Sequence, residues 1–321
     1  MSTISSLMPT IGLGCWKIPK DICSDLIYTA IKDAGVRHLD CACDYGNEVE
    51  VGLGIQRAIK EGIVKREDLW ITSKLWNTYH EPKYVEPAIL KSLKDLQCDY
   101  IDLYLIHFPI AQKFVDFDSR YPPEWIYDPS SPNPKIEQIN VPYIETWRAM
   151  EQLKIKGLTK HIGCCNINVQ MLTELKNEKL PCEVLQIELH PYLTQNSLVE
   201  WCQSNQIYVT AFSPLGSPSY IVYGMDQGLD VGLLKDSDIA KIGAKYNKSN
   251  AQVILRWHLQ RNYAIIPKSN SIARIKENND IHDFVLNEDE MKFISSYNRN
   301  SRFNDPGDFC ISMGGSIPIY A

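Results

Sequence analysis

The chain has 321 residues, 44% of them hydrophobic and 22% charged, which suits one large α/β domain spanning residues 1–321 and excludes global disorder. A net charge of −6 and a pI near 5.7 argue against nucleic acid or an anionic membrane as the main partner, while leaving room for an anionic cofactor held by a local basic cluster. No apolar run approaches the ~20 residues of a membrane span, and no charged-then-apolar leader opens the chain. The ten cysteines are scattered, with Cys15, Cys98, Cys164 and Cys202 inside apolar runs, as reduced core thiols are; a cytoplasmic location is expected.

In chain order, residues 10–14 form a first short apolar run. Ile22, Leu26, Ile27, Ala30, Ile31 and Ala34 then follow a 3.6-residue period, and Gly35 is placed to end that helix. Strand-like runs follow at 38–42 and 69–74, an amphipathic helix at 86–96, and a strand at 101–108. Residues 109–142 hold seven of the eighteen prolines, interleaved with Phe114, Phe117, Tyr121, Trp125 and Tyr127, and read as a long loop. Strands are expected again at 161–166, 185–190 and 208–214, and a glycine-rich loop at 215–232 with Gly216, Pro218, Gly224, Gly228 and Gly232. Ser249-Asn250-Ala251-Gln252 is a capping box opening a helix through Ile254, Leu255 and His258. A last strand is expected at 264–269 and an irregular tail at 302–321.

Eight strands alternating with helices, several of them continuously apolar as Leu103–Ile106 is, predict a closed (β/α)8 TIM barrel with long loops at its C-terminal face. The rival is an open doubly wound sheet, which needs a glycine-rich turn after its first strand. Gly12-x-Gly14 lacks the third glycine, and Gly52-x-Gly54 lies inside a helical pattern with Arg57 in the third place.

Barrel enzymes carry their reactive groups at the C-terminal ends of the strands. Those positions hold Asp40 with Tyr45 five residues on, then Lys74, His107, Asn166, Gln186, Ser213 and Lys268. Each has a bland reading: a core histidine, a solvated lysine, an aspartate in a turn. Together they do not, because four different strands would have to end in ionisable groups by accident. Separately, Lys268-Ser269-Asn270-Ser271 leads into Arg274, Glu277 and Asn278 at helical spacing, and a helix N-terminus flanked by Lys and Arg suits a phosphate.

Asp40, Tyr45, Lys74 and His107 match the catalytic tetrad of the aldo-keto reductases in type, order and spacing. The resemblance covers nearly the whole chain, including Gly12-Leu13-Gly14-Cys15-Trp16, Ser73-Lys74-Leu75-Trp76-Asn77, Leu103-Tyr104-Leu105-Ile106-His107-Phe108-Pro109 and Ile266-Pro267-Lys268-Ser269. Within that family the chain most resembles the yeast-type xylose (aldose) reductases. The signs are Phe108-Pro109-Ile110-Ala111, Tyr121-Pro122-Pro123, Arg302-Phe303-Asn304-Asp305-Pro306 and Ile317-Pro318-Ile319-Tyr320.

The resemblance implies reduction of the open-chain aldehyde of a xylose-like aldose to its polyol, with NADPH as cofactor and NADH as an alternative. Tyr45 is then the proton donor. Its ordinary pKa of ~10 is to be lowered by the Lys74 ammonium, with Asp40 holding Lys74 and His107 orienting the carbonyl. Cys165, Asn166 and Gln186 are expected at the nicotinamide carboxamide, Phe212 against its ring, and Ser213 and Leu215 along the cofactor. Lys268, Ser269, Asn270 and Arg274 are expected at the 2′-phosphate, Glu277 and Asn278 at the adenine. Trp16, Trp76, Phe108 and Asn304 join His107 in the substrate pocket, and Gly46 leaves its entrance open.

The sequence departs from the family in having Phe212 where many members have Tyr, and Cys165 where many have Ser. Cys41-x-Cys43, without further Cys or His partners, makes no zinc site and reads as core filler on a strand; no metal is expected. Partners are limited to a small-molecule aldose or aldehyde, with the protein a monomer or homodimer. The alternatives are a general aldehyde reductase, a reductase of sugar phosphates such as mannose 6-phosphate, and a non-catalytic cofactor-binding barrel.

Overall fold

A computed structural model describes residues 3–216, 220 and 232–320. Of the expected glycine-rich loop, Pro218, Gly224 and Gly228 lie outside the described residues, as does Ala321 at the end of the tail. All eight expected strands are present and parallel, each bonded to the next in chain order. They are β1 Leu13–Gly14, β2 His38–Asp40, β3 Trp70–Leu75, β4 Ile101–Ile106, β5 Thr159–Cys165, β6 Val184–Glu188, β7 Tyr208–Phe212 and β8 Ala264–Ile265.

The sheet closes into a (β/α)8 barrel through its shortest strands. Ile265 N donates to Thr10 O (2.9 Å), Gly12 N to Ile265 O (2.8 Å) and Gly14 N to Pro267 O (3.1 Å). The glycines of Gly12-Leu13-Gly14 are explained here, because a Cβ on Gly12 would lie 2.7 Å from the His38 ring and one on Gly14 2.9 Å from Ile266 O. They serve the seam of the barrel and not a dinucleotide turn. Every residue of β3, β4 and β6 is buried, as strands covered on both faces must be.

Among the described residues the helices are α1 Ile4–Leu7, α2 Lys20–Asp33, α3 Glu48–Lys60, α4 Pro82–Leu96, α5 Tyr143–Ile155, α6 Val169–Leu175, α7 Asn196–Ser204, α8 Ser237–Tyr246, α9 Asn250–Gln260, α10 Ile272–Asn279, α11 Glu288–Ser295 and α12 Pro306–Phe309. The apolar period of α2 buries Cys23, Leu26, Ile27, Ala30 and Ile31, and Gly35 follows it at φ +67°. Helix α4 begins four residues before the expected Glu86, because Pro82 occupies its first turn, where a missing N–H costs nothing. The capping box at Ser249 is present and opens α9.

Two elements go beyond the expectations. Short helix α1 was not anticipated; Ile4 and Met8 at its ends pack on Trp70, Val184, Tyr208 and Ala264, residues that begin their strands, and so cover the N-terminal end of the barrel. The tail is less irregular than expected, forming α12 and a 3₁₀ turn at Cys310–Met313. It is tied to the long 109–142 loop by Ile136 N donating to Met313 O (3.1 Å) and by Trp125 meeting Phe309 edge-on at 5.2 Å. No helix of the described residues is long and apolar enough to cross a membrane.

Candidate active site

The C-terminal mouth of the barrel opens into a cavity of about 1060 Å³. Asp40 is the last residue of β2, and the backbone then turns through a 3₁₀ helix, Cys43–Tyr45, that swings Tyr45 over the strand ends. Lys74 is the fifth residue of β3 and His107 directly follows β4, its N–H bonded to Leu75 O at 3.0 Å. Asp40, Tyr45 and His107 line the cavity, whereas Lys74 stands behind Tyr45.

The lysine is buried and its three protons have three acceptors: Asp40 Oδ1 at 2.5 Å, Cys41 O at 2.8 Å and Tyr45 Oη at 3.1 Å. The second carboxylate oxygen of Asp40 accepts from Gln186 Nε2 at 2.7 Å. Burial, the largest single influence, would pull the Lys74 ammonium toward neutrality, but the Asp40 carboxylate together with Tyr45 and Cys165 outweighs it and the pKa ends above the ordinary value. Tyr45 differs from the sequence expectation in its balance. Burial pushes the phenol above its ordinary value, and the Lys74 charge opposes that rise without overcoming it. His107 is held well below the usual imidazole range by burial and then by the Lys74 charge, so it stands neutral near pH 7.

On the neighbouring strand ends, Asn166 follows β5 at φ +60°. Its Nδ2 donates to His107 O and its Oδ1 accepts from Tyr320 Oη, each at 2.9 Å. Phe212, Ser213 and Leu215 extend the wall to Lys268, Ser269, Asn270, Arg274, Glu277 and Asn278. Ser271 caps α10 there. This part of the wall is basic: Lys268 lines it and is lowered by burial, and Lys17 nearby is lowered to about 8 by burial and by the charge of Lys268. Cations pressed together beside a helix N-terminus are the chemistry of an anion site, so the residues present fit a phosphate-bearing group.

Trp16, Trp76, Phe108 and Asn304 line the other side of the mouth. Trp76 packs edge-on to His107 at 5.2 Å and to Trp125 at 5.0 Å. Gly46 sits at φ +68°, where an added Cβ would come 3.2 Å from Pro122. Of the residues expected in the site, two are off the cavity wall and not hydrogen-bonded to it by their side chains: Gly46, where an added Cβ would face Pro122 and not an open entrance, and Cys165, which packs inside the barrel with Leu103, Leu105 and Val184. Cys41 and Cys43 are buried core filler as expected, but not on one strand. Cys41 follows β2 with its sulfur 3.9 Å from that of Cys15, while Cys43 opens the 3₁₀ turn. No group of metal-ligating side chains occurs among the described residues.

Several wall residues were not singled out by sequence: Asp44, Trp125, Tyr220, Asn250, Phe309 and Met313. Asp44 is pushed up to about 7 by burial and then by Glu124. Its place directly before Tyr45 was the available signal. The aromatic and tail residues come from segments without periodicity, where no pattern says which side chain turns inward.

A parallel barrel with a buried Lys–Asp pair behind a phenol at its C-terminal mouth defines an enzyme of the reductase type. The model of the Aldo/keto reductase family matches residues 10–299, and the chain belongs to that family. It is 47% identical over 322 residues to a probable NAD(P)H-dependent D-xylose reductase of Aspergillus clavatus, covering 98% of this chain and 96% of that one. To an NADH-dependent D-xylose reductase of Candida parapsilosis it is 46% identical over 315 residues, 98% and 94% of the two chains. Among solved structures it is similar to the aldose reductase of Schistosoma japonicum, with a TM-score of 0.84 at 35% identity over 98% of this chain and 95% of that one. An aldo-keto reductase of Bombyx mori in complex with NADP gives 0.82 at 37% identity over 94% and 93%.

Proposed function

We propose that the chain, as one barrel domain, reduces the open-chain aldehyde of a xylose-like aldose to its polyol with NADPH or NADH, Tyr45 giving the proton. The observation that carries this reading is the saturated Lys74 ammonium. With two of its protons on Asp40 and Cys41, the third points at Tyr45 Oη. The phenol therefore receives a hydrogen bond from behind and keeps its own proton for the cavity.

A reduced nicotinamide cofactor, when held in this cavity, would supply the hydride needed at the carbonyl carbon. The protein's part is to give the proton to oxygen and to hold the geometry. Burial keeps Tyr45 protonated until it is used, and the Lys74 ammonium 3.1 Å away stabilises the phenolate left behind. A neutral His107 donates a hydrogen bond to the carbonyl oxygen without competing as an acid. Asn166 and Gln186 would hold the nicotinamide carboxamide, Phe212 would offer an aromatic face to the cofactor, and Lys268, Ser269, Asn270 and Arg274 would hold its phosphate; all of them line the cavity. Asn304 both donates and accepts, which suits a polyhydroxylated aldehyde. The relatives' own names, D-xylose reductases using NADH or either cofactor, support this substrate and cofactor class. Ten free thiols, most of them buried, support work in a reducing compartment such as the cytoplasm.

The test is a steady-state panel of xylose, mannose 6-phosphate and benzaldehyde with each cofactor. Xylose should exceed mannose 6-phosphate in kcat/KM, and NADPH should bind more tightly than NADH. A preference for the sugar phosphate overturns the aldose reading, and no turnover of any aldehyde overturns the enzyme.

A further inference from the structure

We infer that Glu188, the last residue of β6, is a positioning residue that sets sugar selectivity by fixing Asn304. The inference rests on the aldose reading above, in which Asn304 meets substrate hydroxyls. Glu188 is fully buried, and its carboxyl group is given over to the tail. Oε1 accepts from Phe303 N and Oε2 from Asn304 N, both at 2.9 Å. His190 Nε2 lies 2.8 Å from Oε1, so that ring nitrogen is the donor to the carboxyl group. Even the backbone of Glu188 takes part: its carbonyl accepts from Gln195 Nε2 at 2.7 Å, and Gln195 Oε1 accepts from Arg302 at 3.1 Å. Three successive tail residues are thus fastened to one residue of the barrel wall. Phe303 is further held by stacking on the His190 ring at 5.0 Å.

The consequence falls on Asn304. Its backbone N–H is pinned one residue from a stacked ring, so its side chain has a fixed origin at the cavity mouth. There Nδ2 lies 3.5 Å from Tyr220 Oη, and Oδ1 is buried with no hydrogen-bonding partner among the described residues. A buried carbonyl oxygen without a partner is costly unless something is to fill it, and a sugar hydroxyl is such a donor. The segment has no sheet or long helix to set its register, so the Glu188 bonds do that work. A shift of about an ångström in a positioning group is enough to lose most of its benefit. An aromatic aldehyde, with no hydroxyl to place, does not depend on it.

Two measurements test this. Amide exchange in the wild-type protein should show Phe303 and Asn304 exchanging at least about a hundredfold slower than free-chain rates, despite lying in an irregular segment. This needs no variant. Glu188→Gln places an NH2 against a backbone N–H, and should speed those two amides while raising KM for xylose about tenfold, the loss of one buried hydrogen bond, with kcat little changed. NADPH affinity and kcat/KM for benzaldehyde should stay within about twofold, inside the few tenths of a kcal/mol typical of a site left untouched. On an Asn304→Ala background, Glu188→Gln should add almost nothing to the xylose defect, because the two act through one contact.

Unprotected amides in the wild type overturn the anchoring. Equal losses for xylose and benzaldehyde, or additive effects in the double variant, overturn the positioning role while Asn304→Ala alone still discriminates sugar from benzaldehyde. If Asn304→Ala itself does not discriminate, the aldose reading fails and the selectivity role of Glu188 falls with it.

Discussion

Tyr45 and Lys74 show how one pair of residues sets opposite protonation demands. A general acid must be protonated at rest and willing to part with its proton in the transition state. Burial achieves the first, pushing the phenol above its ordinary value. The lysine achieves the second, since its charge is kept in a dry site by Asp40 and acts on the phenolate only once that forms. Tyr45→Phe should therefore bind cofactor normally and lose aldehyde reduction by ~10²–10⁴-fold, the usual worth of a positioned acid. Cofactor titration by tryptophan fluorescence beside single-turnover reduction checks both halves. Near-normal turnover of the purified variant would refute the assignment. At this scale the tetrad was legible because each member sits at a countable distance from a strand end. The net direction of the Tyr45 shift was not, because burial depends on what the loops cover and loops carry no period.

At the scale of elements, the glycines are the instructive case. Gly52-x-Gly54 in α3 is not part of the cavity wall and serves helix packing. A Cβ on Gly52 would sit 2.5 Å from Asp95 O in α4, and one on Gly54 2.7 Å from Ser24 O in α2. Backbone oxygens cannot swing aside as a flexible side chain does, so the helices would have to separate. Gly52→Ala should cost about 1–3 kcal/mol despite its better helix propensity, seen as a lower melting temperature with kcat/KM unchanged at 25 °C. An unchanged or raised melting temperature would mean that the α3–α4 spacing is soft. The strands, α2 and the cap of α9 could be read directly from apolar period and cap chemistry. Helix α1 could not, being four residues long with no buried side chain of its own. Nor could α12, whose formation depends on Asp305 accepting from Gly307 N and on Ile317 N reaching back to Pro306 O.

Over the whole molecule, the barrel brings acidic groups inside, and this fixes how stability depends on pH. Glu48 opens α3 with both carboxyl oxygens occupied, by Ser73 Oγ of β3 and Ser92 Oγ of α4. It therefore links three elements around the wall, and it is fully buried. Its pKa is pushed up to about 7, with burial outweighing the two serine bonds; Asp44 rises to about 7 as well, by burial and then Glu124. In the unfolded chain such carboxyls titrate near ~4. A group raised in the folded state holds its proton there more tightly, so its stabilisation is complete below pH ~4 and is lost as pH climbs through 7. Glu183 works the other way, burial being outweighed by His161 and Lys154, which lower it; its contribution is present at neutral pH and lost on acidification. The net profile of the wild type mixes both signs, so the informative quantity is a difference. Glu48→Gln keeps the size and can still bond both serines, but cannot titrate. Relative to this variant, the wild type should lose stability between pH 5 and 8 by up to about 3 kcal/mol, the worth of roughly two pKa units. Melting curves of the two proteins should therefore nearly coincide at pH 5 and separate by several degrees at pH 8, with the variant melting higher. Parallel profiles across that range would mean that Glu48 is ionised in the folded protein, and that the two serines and not a shared proton satisfy its charge.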